Sequence, residues 1–246
     1  MSDLPKVSIV IPCRSEEKFI GKCLDSILAN DYPNDRLEIL VVDGMSEDGT
    51  RRTVESYGRN YAFIGLLDNP KKITPAALNI GIANAKGEII MRMDAHNTYP
   101  PNYISGLVGW LEKTQADNVG GVCITVPATQ TFMAEAIALA LSHPFGVGNA
   151  YFRIGVKEPR WVDTVPFGCY RRHVFDRVGM FDEELVRNQD DEFNLRLIRH
   201  GGRILLVPEI VSYYYARESL RKLWRMYFQY GYFKPLVARK VGGVLT

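Results

Sequence analysis

Cysteine and histidine are scarce in this chain of 246 residues, which contains four of each. No two of the cysteines, Cys13, Cys23, Cys123 and Cys169, have the C-x-x-C spacing of a redox or zinc site. Three of them lie in apolar runs. We therefore expect small core side chains in a reducing compartment, and a disulfide framework is disfavoured.

Long apolar runs and phosphate-binding glycine motifs are missing as well. No apolar stretch approaches the roughly 18 residues of a membrane-spanning helix. The loop Gly44-Met45-Ser46-Glu47-Asp48-Gly49-Thr50 is turn-forming, but it matches neither G-x-G-x-x-G nor G-x-x-x-x-G-K-[ST]. A dinucleotide fold and a P-loop enzyme are therefore disfavoured. Because the sequence stops without a polar tail, we expect it to be part of a longer protein.

The formal net charge is only +2, so the overall charge gives no reason to expect a nucleic-acid partner. The charge is unevenly distributed, however. Residues 217–240 contain seven basic side chains and one acidic side chain, a net charge of +6, and the remainder therefore carries −4. A basic segment on an otherwise acidic body predicts a local binding function.

Apolar, β-rich runs alternate with segments of helical periodicity. The predicted strands cover residues 7–11, 38–43, 63–67, 88–93, 121–126 and 203–207, and helices are predicted between the first five and at 191–200. This alternation predicts an α/β fold with a mainly parallel central sheet, and nearly all-apolar strands indicate helices on both faces. Periodicity weakens between residues 130 and 168, which predicts a less regular subregion.

The segment Asp94-Ala95-His96 follows the predicted strand at 88–93. A carboxylate and an imidazole two residues apart at a strand end point the same way, and α/β sheets bind ligands at this edge. The pair could hold one divalent cation and leave coordination positions for substrate oxygens. The alternative is a polar strand end before Pro100-Pro101.

Other polar side chains follow the first two predicted strands and should converge on the same edge. They are Arg14 and Glu16 after the first strand, and Asp43 after the second. Asp43 could accept a hydrogen bond from a nucleobase imide or a ribose hydroxyl, or it could cap the next helix. Lys71 and Lys72 are candidates for a phosphate contact, or belong to an ordinary solvated loop.

Three consecutive acids, Asp190, Asp191 and Glu192, stand at the start of a predicted helix. Negative charge there suits the helix dipole, which alone could explain one or two of them. The functional alternative is that one carboxylate is a general base for an acceptor hydroxyl.

Several segments, in order, resemble the family 2 glycosyltransferases. Pro12-Cys13-Arg14-Ser15-Glu16-Glu17 is similar to a P-x-x-N-E-E loop, and residues 41–50 are similar to a V-D-D-G-S-x-D-G-T block. Asp94-Ala95-His96 occupies the D-x-D place, and Gln189-Asp190 falls on the E-D acceptor motif. Weaker matches are Leu78-Asn79-Ile80-Gly81, Ala85-Lys86-Gly87-Glu88 and Val178-Gly179-Met180-Phe181-Asp182-Glu183. The similarity covers residues 7 to about 215 and is greatest to ExoA-like exopolysaccharide glucosyltransferases.

The resemblance implies a GT-A fold over residues 1–216, with a nucleotide-sugar half at about 1–126 and an acceptor half at about 127–216. It implies inverting transfer from a nucleotide sugar, most often UDP-linked. Pro12, Arg14, Glu16 and Asp43 would frame the nucleoside, and Lys72 is kept as a candidate for a phosphate contact from its position alone. Asp94 and His96 would bind Mn²⁺ or Mg²⁺ at the diphosphate, and Asp190 would be the base.

Three departures from the family pattern affect the site. His96 replaces the second Asp, and Gln189 replaces the usual Glu beside Asp190. Tyr213-Tyr214-Tyr215 stand where some members carry a histidine. A third protein ligand to the metal is therefore in doubt, and Arg217 is a candidate to neutralise the diphosphate instead.

Residues 217–246 are predicted to form an amphipathic, aromatic and basic helical segment. Its aromatic and basic side chains lead us to expect that it lies on a membrane surface. The resemblance to ExoA-like enzymes implies that it delivers a polyprenyl-linked acceptor at the cytoplasmic face of the cell membrane. The alternative is a helix packed on the core with solvated arginines. Two other functions compete with transfer: a catalytically silent sugar-nucleotide-binding module, and a sugar nucleotidyltransferase. The latter needs a glycine-rich loop after the first strand, and residues 12–17 contain no glycine.

Overall fold

A computed structural model describes residues 4–216 and 219–242. Its nine strands form one mixed sheet in the order β3-β2-β1-β4-β8-β6-β9-β5, with β7 pairing to β9. The strands are β1 (Val7–Cys13), β2 (Leu37–Asp43), β3 (Ile64–Asp68), β4 (Ile89–Arg92), β5 (Asn97–Thr98), β6 (Asn118–Val126), β7 (Arg160–Val162), β8 (Cys169–Arg171) and β9 (Ile204–Tyr215). Most of the pairing is parallel, so the predicted α/β fold is confirmed.

Helices cover both faces of this sheet. They are α1 (Ile20–Leu28), α2 (Thr50–Asn60), α3 (Thr74–Asn84), α4 (Tyr103–Thr114), α5 (Phe132–Ala140), α6 (Pro144–Val147), α7 (Tyr151–Ile154), α8 (His173–Val178), α9 (Gln189–Arg199) and α10 (Leu220–Val241), with one 3₁₀ turn at Asn34–Arg36. The subregion with weak periodicity, residues 130–168, contains α5, the single-turn helices α6 and α7, and the short strand β7.

The apolar strands divide their side chains between two cores. In β1, Ile9 and Ile11 belong to one cluster, while Val10 belongs to the other. This alternation follows from the two-residue period of a strand. Both faces are dry because α1 and α4 cover the first cluster and α3, α8 and α9 cover the second.

The carboxyl ends of the parallel strands meet at one edge. Cys13 lies opposite Asp43, and Asp43 lies opposite Asp68. Strand β8 runs antiparallel to β4, so its amino end reaches the same edge, where the Arg92 N–H donates to the Gly168 carbonyl at 3.0 Å. The residues that follow β1, β2 and β4 and those that precede β8 are thereby brought together.

The C-terminal helix α10 lies within the predicted helical segment at 217–246 and packs on the body. Ser219 caps it by accepting from the Lys222 N–H, and the helix continues through Pro235. Val237 and Val241 pack with Leu185 in a small core of their own. Over the residues that the structure describes, no helix combines the length and hydropathy needed to cross a membrane.

Candidate active site

Two loops that follow β1 and β2 are joined by hydrogen bonds from backbone to side chain. The Ser15 N–H donates to Ser46 Oγ at 2.8 Å, and the Glu16 N–H donates to Thr50 Oγ1 at 2.9 Å. Ser15 adopts a φ of 54° in the first loop, and α1 begins at Ile20. The polar residues at 43–50 therefore fix the shape of the first loop.

Asp43 lies at the predicted edge, but its carboxylate has no exposed surface. Oδ2 accepts from the Ser46 N–H at 2.8 Å and from Arg51 at 2.9 Å, and the Ser46 hydroxyl donates to Oδ1 at 2.5 Å. These contacts hold the second loop and the Arg51 side chain in the first turn of α2. Asp43 does not cap that helix, whose N-cap is Gly49. In this conformation the Asp43 carboxylate is buried behind the surface that a ligand could reach.

Arg14 and Lys72 are brought together at the same edge. Arg14 Nη1 donates to the Lys72 carbonyl at 3.4 Å, and both side chains are exposed to solvent. Pro12 lies half-buried near the end of β1. Lys71, in contrast, pairs with Glu183 at 2.5 Å and so connects the two halves of the chain. Arg14 and Lys72 thus remain accessible to an anionic ligand.

The Asp94 carboxylate lies just past β4, and an arginine on that strand contacts it. Arg92 Nε donates to Asp94 Oδ1 at 3.2 Å, and Arg92 Nη2 lies 3.1 Å from the same oxygen. The Tyr99 hydroxyl accepts from the Asp94 N–H at 2.8 Å and fixes the backbone. Asp94 keeps 18% of its side chain exposed, so the carboxylate remains open to a ligand.

The Arg92 guanidinium also reaches Asp190 on α9, where Nη1 donates to Asp190 Oδ1. Burial alone lowers the pKa of a guanidinium, but Asp190 and Asp94 together hold the pKa of Arg92 well above its ordinary value. One buried cation thus joins the metal candidate and the base candidate. Arg92 was not predicted as a site residue. The available signal was a charged residue inside an apolar strand, two positions before Asp94 and on the same face, because such a residue requires a partner.

His96 lies between a carboxylate and an aromatic ring. Its Nδ1 is 3.4 Å from Glu16 Oε1, and its ring meets the Tyr214 ring edge-on at 5.6 Å between centroids. Glu16, predicted to frame the nucleoside, thus contacts the predicted metal ligand. A carboxylate on one imidazole nitrogen is the usual support for a histidine that binds metal through the other.

The residues fit a divalent cation with two protein ligands. Asp94 and Asp190 contact the Arg92 guanidinium, and Glu16 lies beside His96, so three carboxylates are grouped around one guanidinium and one imidazole. Among the described residues, no set of three histidine, cysteine, aspartate or glutamate side chains is arranged to hold a metal. A cation at Asp94 and His96 would therefore need oxygens from substrate or water to complete its coordination. Arg217, the candidate for neutralising the diphosphate, lies outside the described residues.

The three acids at the start of α9 have different surroundings. Asp190 is bound to Arg92, and Gln189 Nε2 lies 3.3 Å from its second oxygen. Burial and the neighbouring Asp190 raise the pKa of Asp191 to about 6. Glu192 is buried and forms two hydrogen bonds with Arg196 at 2.7 and 2.8 Å, so it stabilises the helix. Of the three, only Asp190 joins the cluster around Arg92.

Sequence comparison places most of the chain in a known family. The model for "Glycosyl transferase family 2" matches residues 8–179. A dolichyl N-acetyl-α-D-glucosaminyl phosphate 3-β-D-2,3-diacetamido-2,3-dideoxy-β-D-glucuronosyltransferase of Methanococcus voltae is 31% identical over 95% of this chain and 74% of its own length. The succinoglycan biosynthesis protein ExoA of Rhizobium meliloti is 33% identical over 91% of this chain and 67% of its own length.

Solved structures with little sequence identity share the fold. The S. aureus protein TarS, residues 1–349, superposes with a TM-score of 0.69 at 18% identity, over 98% of this chain and 67% of that one. The mannosyltransferase PcManGT of Pyrobaculum calidifontis superposes with a TM-score of 0.71 at 21% identity, over 98% and 70%. The architecture is therefore GT-A, and with the sequence matches above the chain belongs to the family 2 glycosyltransferases, with ExoA among its similar relatives.

Proposed function

We propose that this glycosyltransferase is an inverting enzyme that moves a sugar from a UDP-sugar to a lipid-linked saccharide in polysaccharide biosynthesis. The observation that supports it most is the placement of Asp190 beside Asp94, with one buried guanidinium between them. An inverting reaction needs a base and a site for the departing diphosphate close together. At this edge of the sheet the candidates for the two, Asp190 and Asp94, both contact the Arg92 side chain.

Asp190 is the proposed general base. It would take the proton from the acceptor hydroxyl as that oxygen attacks the anomeric carbon, while the bond to the diphosphate breaks on the opposite face. The carboxylate lies in the first turn of α9, at the positive end of the helix dipole. Arg14 and Lys72 are positioned to meet phosphate oxygens. A divalent cation, Mn²⁺ or Mg²⁺, held by Asp94 and His96 would neutralise the charge that develops on the leaving diphosphate.

The donor nucleotide is proposed from the resemblance to the family and from its relatives. TarS was crystallised with UDP-GlcNAc, whereas PcManGT was crystallised with GDP-Man and Mn²⁺. The fold therefore accommodates either base. UDP is proposed here because the ExoA-like sequence pattern favours it. An acceptor on a lipid carrier is proposed because the Methanococcus relative is named as acting on a dolichyl-linked sugar phosphate.

We further propose that α10 lies on the cytoplasmic face of the cell membrane. Its outward face exposes Trp224, Phe228 and Tyr232 by 68%, 59% and 70%, and their rings stack in sequence at 5.3 and 6.4 Å. The exposed Arg221 precedes Trp224, and the exposed Arg225 lies between Trp224 and Phe228 in the sequence. Amphipathic aromatics beside arginine suit the boundary between headgroups and acyl chains.

Thermal unfolding with a panel of nucleotide sugars tests the donor. UDP-, GDP- and ADP-sugars would each be added with Mn²⁺ or with chelator, since a ligand that binds only the folded state raises its apparent stability. We expect the largest shift with a UDP-sugar and Mn²⁺. Equal shifts with all three nucleotides, or no loss with chelator, would refute the proposal for the donor and the cation.

Release of free UDP separates transfer from mere binding. The UDP-sugar that stabilises the chain most would be incubated with Mn²⁺ and extracted lipid-linked saccharides, and UDP would be measured over time. Turnover supports the enzyme. Tight binding without any UDP release would favour the silent sugar-nucleotide-binding module.

A further inference from the structure

The Arg92 guanidinium is the one group that contacts both Asp94 and Asp190 in the described structure. Arg92 lies on β4, whereas Asp190 lies on α9, nearly a hundred residues later in the chain. Arg92 has two further contacts. Its backbone N–H donates to the Gly168 carbonyl, and its guanidinium carbon lies 6.0 Å from the centre of the Phe167 ring. Arg92 therefore has little freedom to follow a moving partner.

Neither carboxylate is held as firmly by other contacts. Asp190 has 30% of its side chain exposed, and Gln189 supplies a long hydrogen bond of 3.3 Å to its second oxygen. Asp94 has 18% exposed. An arginine can bond two carboxylates at once through separate N–H groups, a geometry that a lysine ammonium does not reproduce. The separation between the two carboxylates is thus set largely by one planar guanidinium.

We propose that Arg92 is a positioning residue that holds the base Asp190 at a fixed distance from Asp94, and that it competes with a divalent cation for the Asp94 carboxylate. The proposal rests on the proposed function, since it assumes that Asp190 is the base and that Asp94 binds the cation. Two opposite effects follow. Removing Arg92 should misplace the base and slow turnover, and it should also remove a positive charge beside the cation and strengthen cation binding.

The test compares Arg92→Met with the parent in two measurements. The first is the affinity for Mn²⁺ in the presence of UDP, measured by calorimetry or by the electron paramagnetic resonance of free Mn²⁺. The second is kcat and KM for the UDP-sugar, from UDP release. We expect Mn²⁺ to bind at least as tightly as in the parent, while kcat falls by about 10²-fold, the scale of a misplaced catalytic group. The KM for the donor should change little.

Two further variants keep the test decisive. Arg171→Met removes an arginine from the neighbouring strand β8, where it pairs with Glu112 on the surface, and should leave both measurements unchanged. Arg92→Lys keeps the charge but loses the two-carboxylate geometry. If Arg92→Met does not fold, Arg92→Lys should still show the loss in kcat with parent-like Mn²⁺ affinity.

A double variant shows whether Arg92 acts through Asp190. In an Asp190→Asn background, Arg92→Met should reduce the residual rate far less than it does in the parent, because the base is already lost. Parent-like kcat in Arg92→Met, or additive losses in the double variant, would overturn the proposal. So would a parallel fall in Mn²⁺ affinity and kcat, which would mean that Arg92 only keeps Asp94 in place. If the parent itself binds no Mn²⁺ in the presence of UDP, the proposed function fails instead.

Discussion

The basicity of Asp190 can be removed with little change in the shape of its side chain, by substitution with asparagine. Asp190→Asn keeps an oxygen that can accept from Arg92, so the geometry at the start of α9 should persist. Because the amide is not basic, we expect transfer to fall by roughly 10²–10⁴-fold, the usual contribution of general-base catalysis. Donor binding should stay close to that of the parent. Steady-state kinetics together with calorimetry of UDP binding would measure both quantities.

The neighbouring Asp191 provides the control for that assignment. Asp191→Asn removes a carboxylate that does not contact Arg92 in the described structure, so its loss of activity should be smaller. A larger loss at Asp191 than at Asp190 would mean that the base is one residue further along α9.

Asp191 also predicts a pH dependence of stability. Its pKa is raised from an ordinary value of 3.8 to about 6, chiefly by burial and then by Asp190. Between these values the folded chain binds more protons at this site than the unfolded chain, so Asp191 lowers the free energy of unfolding as the pH rises through that window. Asp191→Asn should remove this decline and stabilise the protein at pH 7 by up to about 3 kcal/mol relative to the parent, because each unit of pKa shift corresponds to about 1.4 kcal/mol.

Urea unfolding at pH 4, 5, 6 and 7 would test the effect. Asp35→Asn, which changes a carboxylate that is 80% exposed, is the matched control and should leave the slope unaltered. Identical slopes for the parent and Asp191→Asn between pH 4 and 6 would refute the predicted coupling.

His96 and Glu16 are expected to act as a ligand and its support. His96→Ala should weaken Mn²⁺-dependent UDP binding strongly, and His96→Asp should restore part of it because a carboxylate is also a ligand for Mn²⁺. Glu16→Gln should weaken metal affinity by about 10–100-fold, the usual cost of losing a support on a metal-binding histidine. Calorimetry of UDP with Mn²⁺ would measure all three. Parent-like binding in both His96 variants would show that His96 is not a ligand.

At the scale of the elements, the sequence predicted the strands that are covered on both faces and missed the short ones. β1, β2 and β4 are four to seven residues long and mostly apolar, so the pattern that predicts them lies within each strand itself. β5, β7 and β8 have only two or three residues each, and they pair with strands far along the chain. Their existence depends on tertiary neighbours, which local periodicity does not record.

The site shows the same division between local and distant information. Asp94, His96 and Glu16 could be placed at one edge because strand ends converge in a parallel sheet. The contacts of Asp43 with Ser46 and Arg51 could not be predicted, because no local pattern distinguishes these two residues. Arg92 is marked by its charge inside an apolar strand, but its contact with Asp190 depends on the fold, which brings α9 to β4. The extension of α10 beyond Pro235 has the same origin, because packing of Val237 and Val241 offsets the hydrogen bond that a proline removes.

The glycine in Asn79-Ile80-Gly81 has a packing role between elements. A Cβ added at Gly81 on α3 would lie 2.3 Å from Val10 Cγ1 on β1. Gly81→Ala should therefore destabilise the fold by about 1–3 kcal/mol, the typical cost of overpacking a core. Urea unfolding would measure the change in free energy. Gly109→Ala in α4 is the control, since an added Cβ there meets nothing within 4 Å and should stabilise the helix slightly.

At the scale of the whole molecule, a loop at 181–184 connects α3, in the N-terminal half of the chain, to α10. Asn79 on α3 donates to the Phe181 carbonyl at 2.9 Å and accepts from its N–H at 2.9 Å. Lys240 on α10 pairs with Asp182 at 2.7 Å and Glu184 at 2.6 Å. At least one basic residue of the C-terminal segment thus has a structural partner. The inner face of α10 is bound to the body, while its outer face is exposed.

The exposed apolar surface continues beyond α10 onto α5 and α6. Leu223 and Met226 of α10 pack against the cluster that includes Ile137 and Leu141, and the Tyr227 hydroxyl donates to the Gly146 carbonyl at 2.9 Å. On these neighbouring helices, Phe132, Leu139 and Phe145 are exposed by 84%, 69% and 97%. Large apolar side chains clustered on an exposed surface commonly mark a contact with a membrane or another protein.

The proposed contact with a membrane can be tested by sedimentation with vesicles. Anionic lipid attracts a basic patch by about 1 kcal/mol per residue near the surface, so binding should require anionic lipid and weaken with salt. Changing Arg221, Lys222 and Arg225 to Glu should abolish it. The same charge change at Arg52, Arg59 and Lys86, which are exposed on the N-terminal half of the chain, should alter vesicle binding much less.

Trp224→Ser with Phe228→Ser should remove the part of vesicle binding that resists salt, because burial of these rings does not depend on ionic strength. If the parent does not sediment with anionic vesicles at low salt, α10 is not a membrane contact and its basic side chains need another explanation.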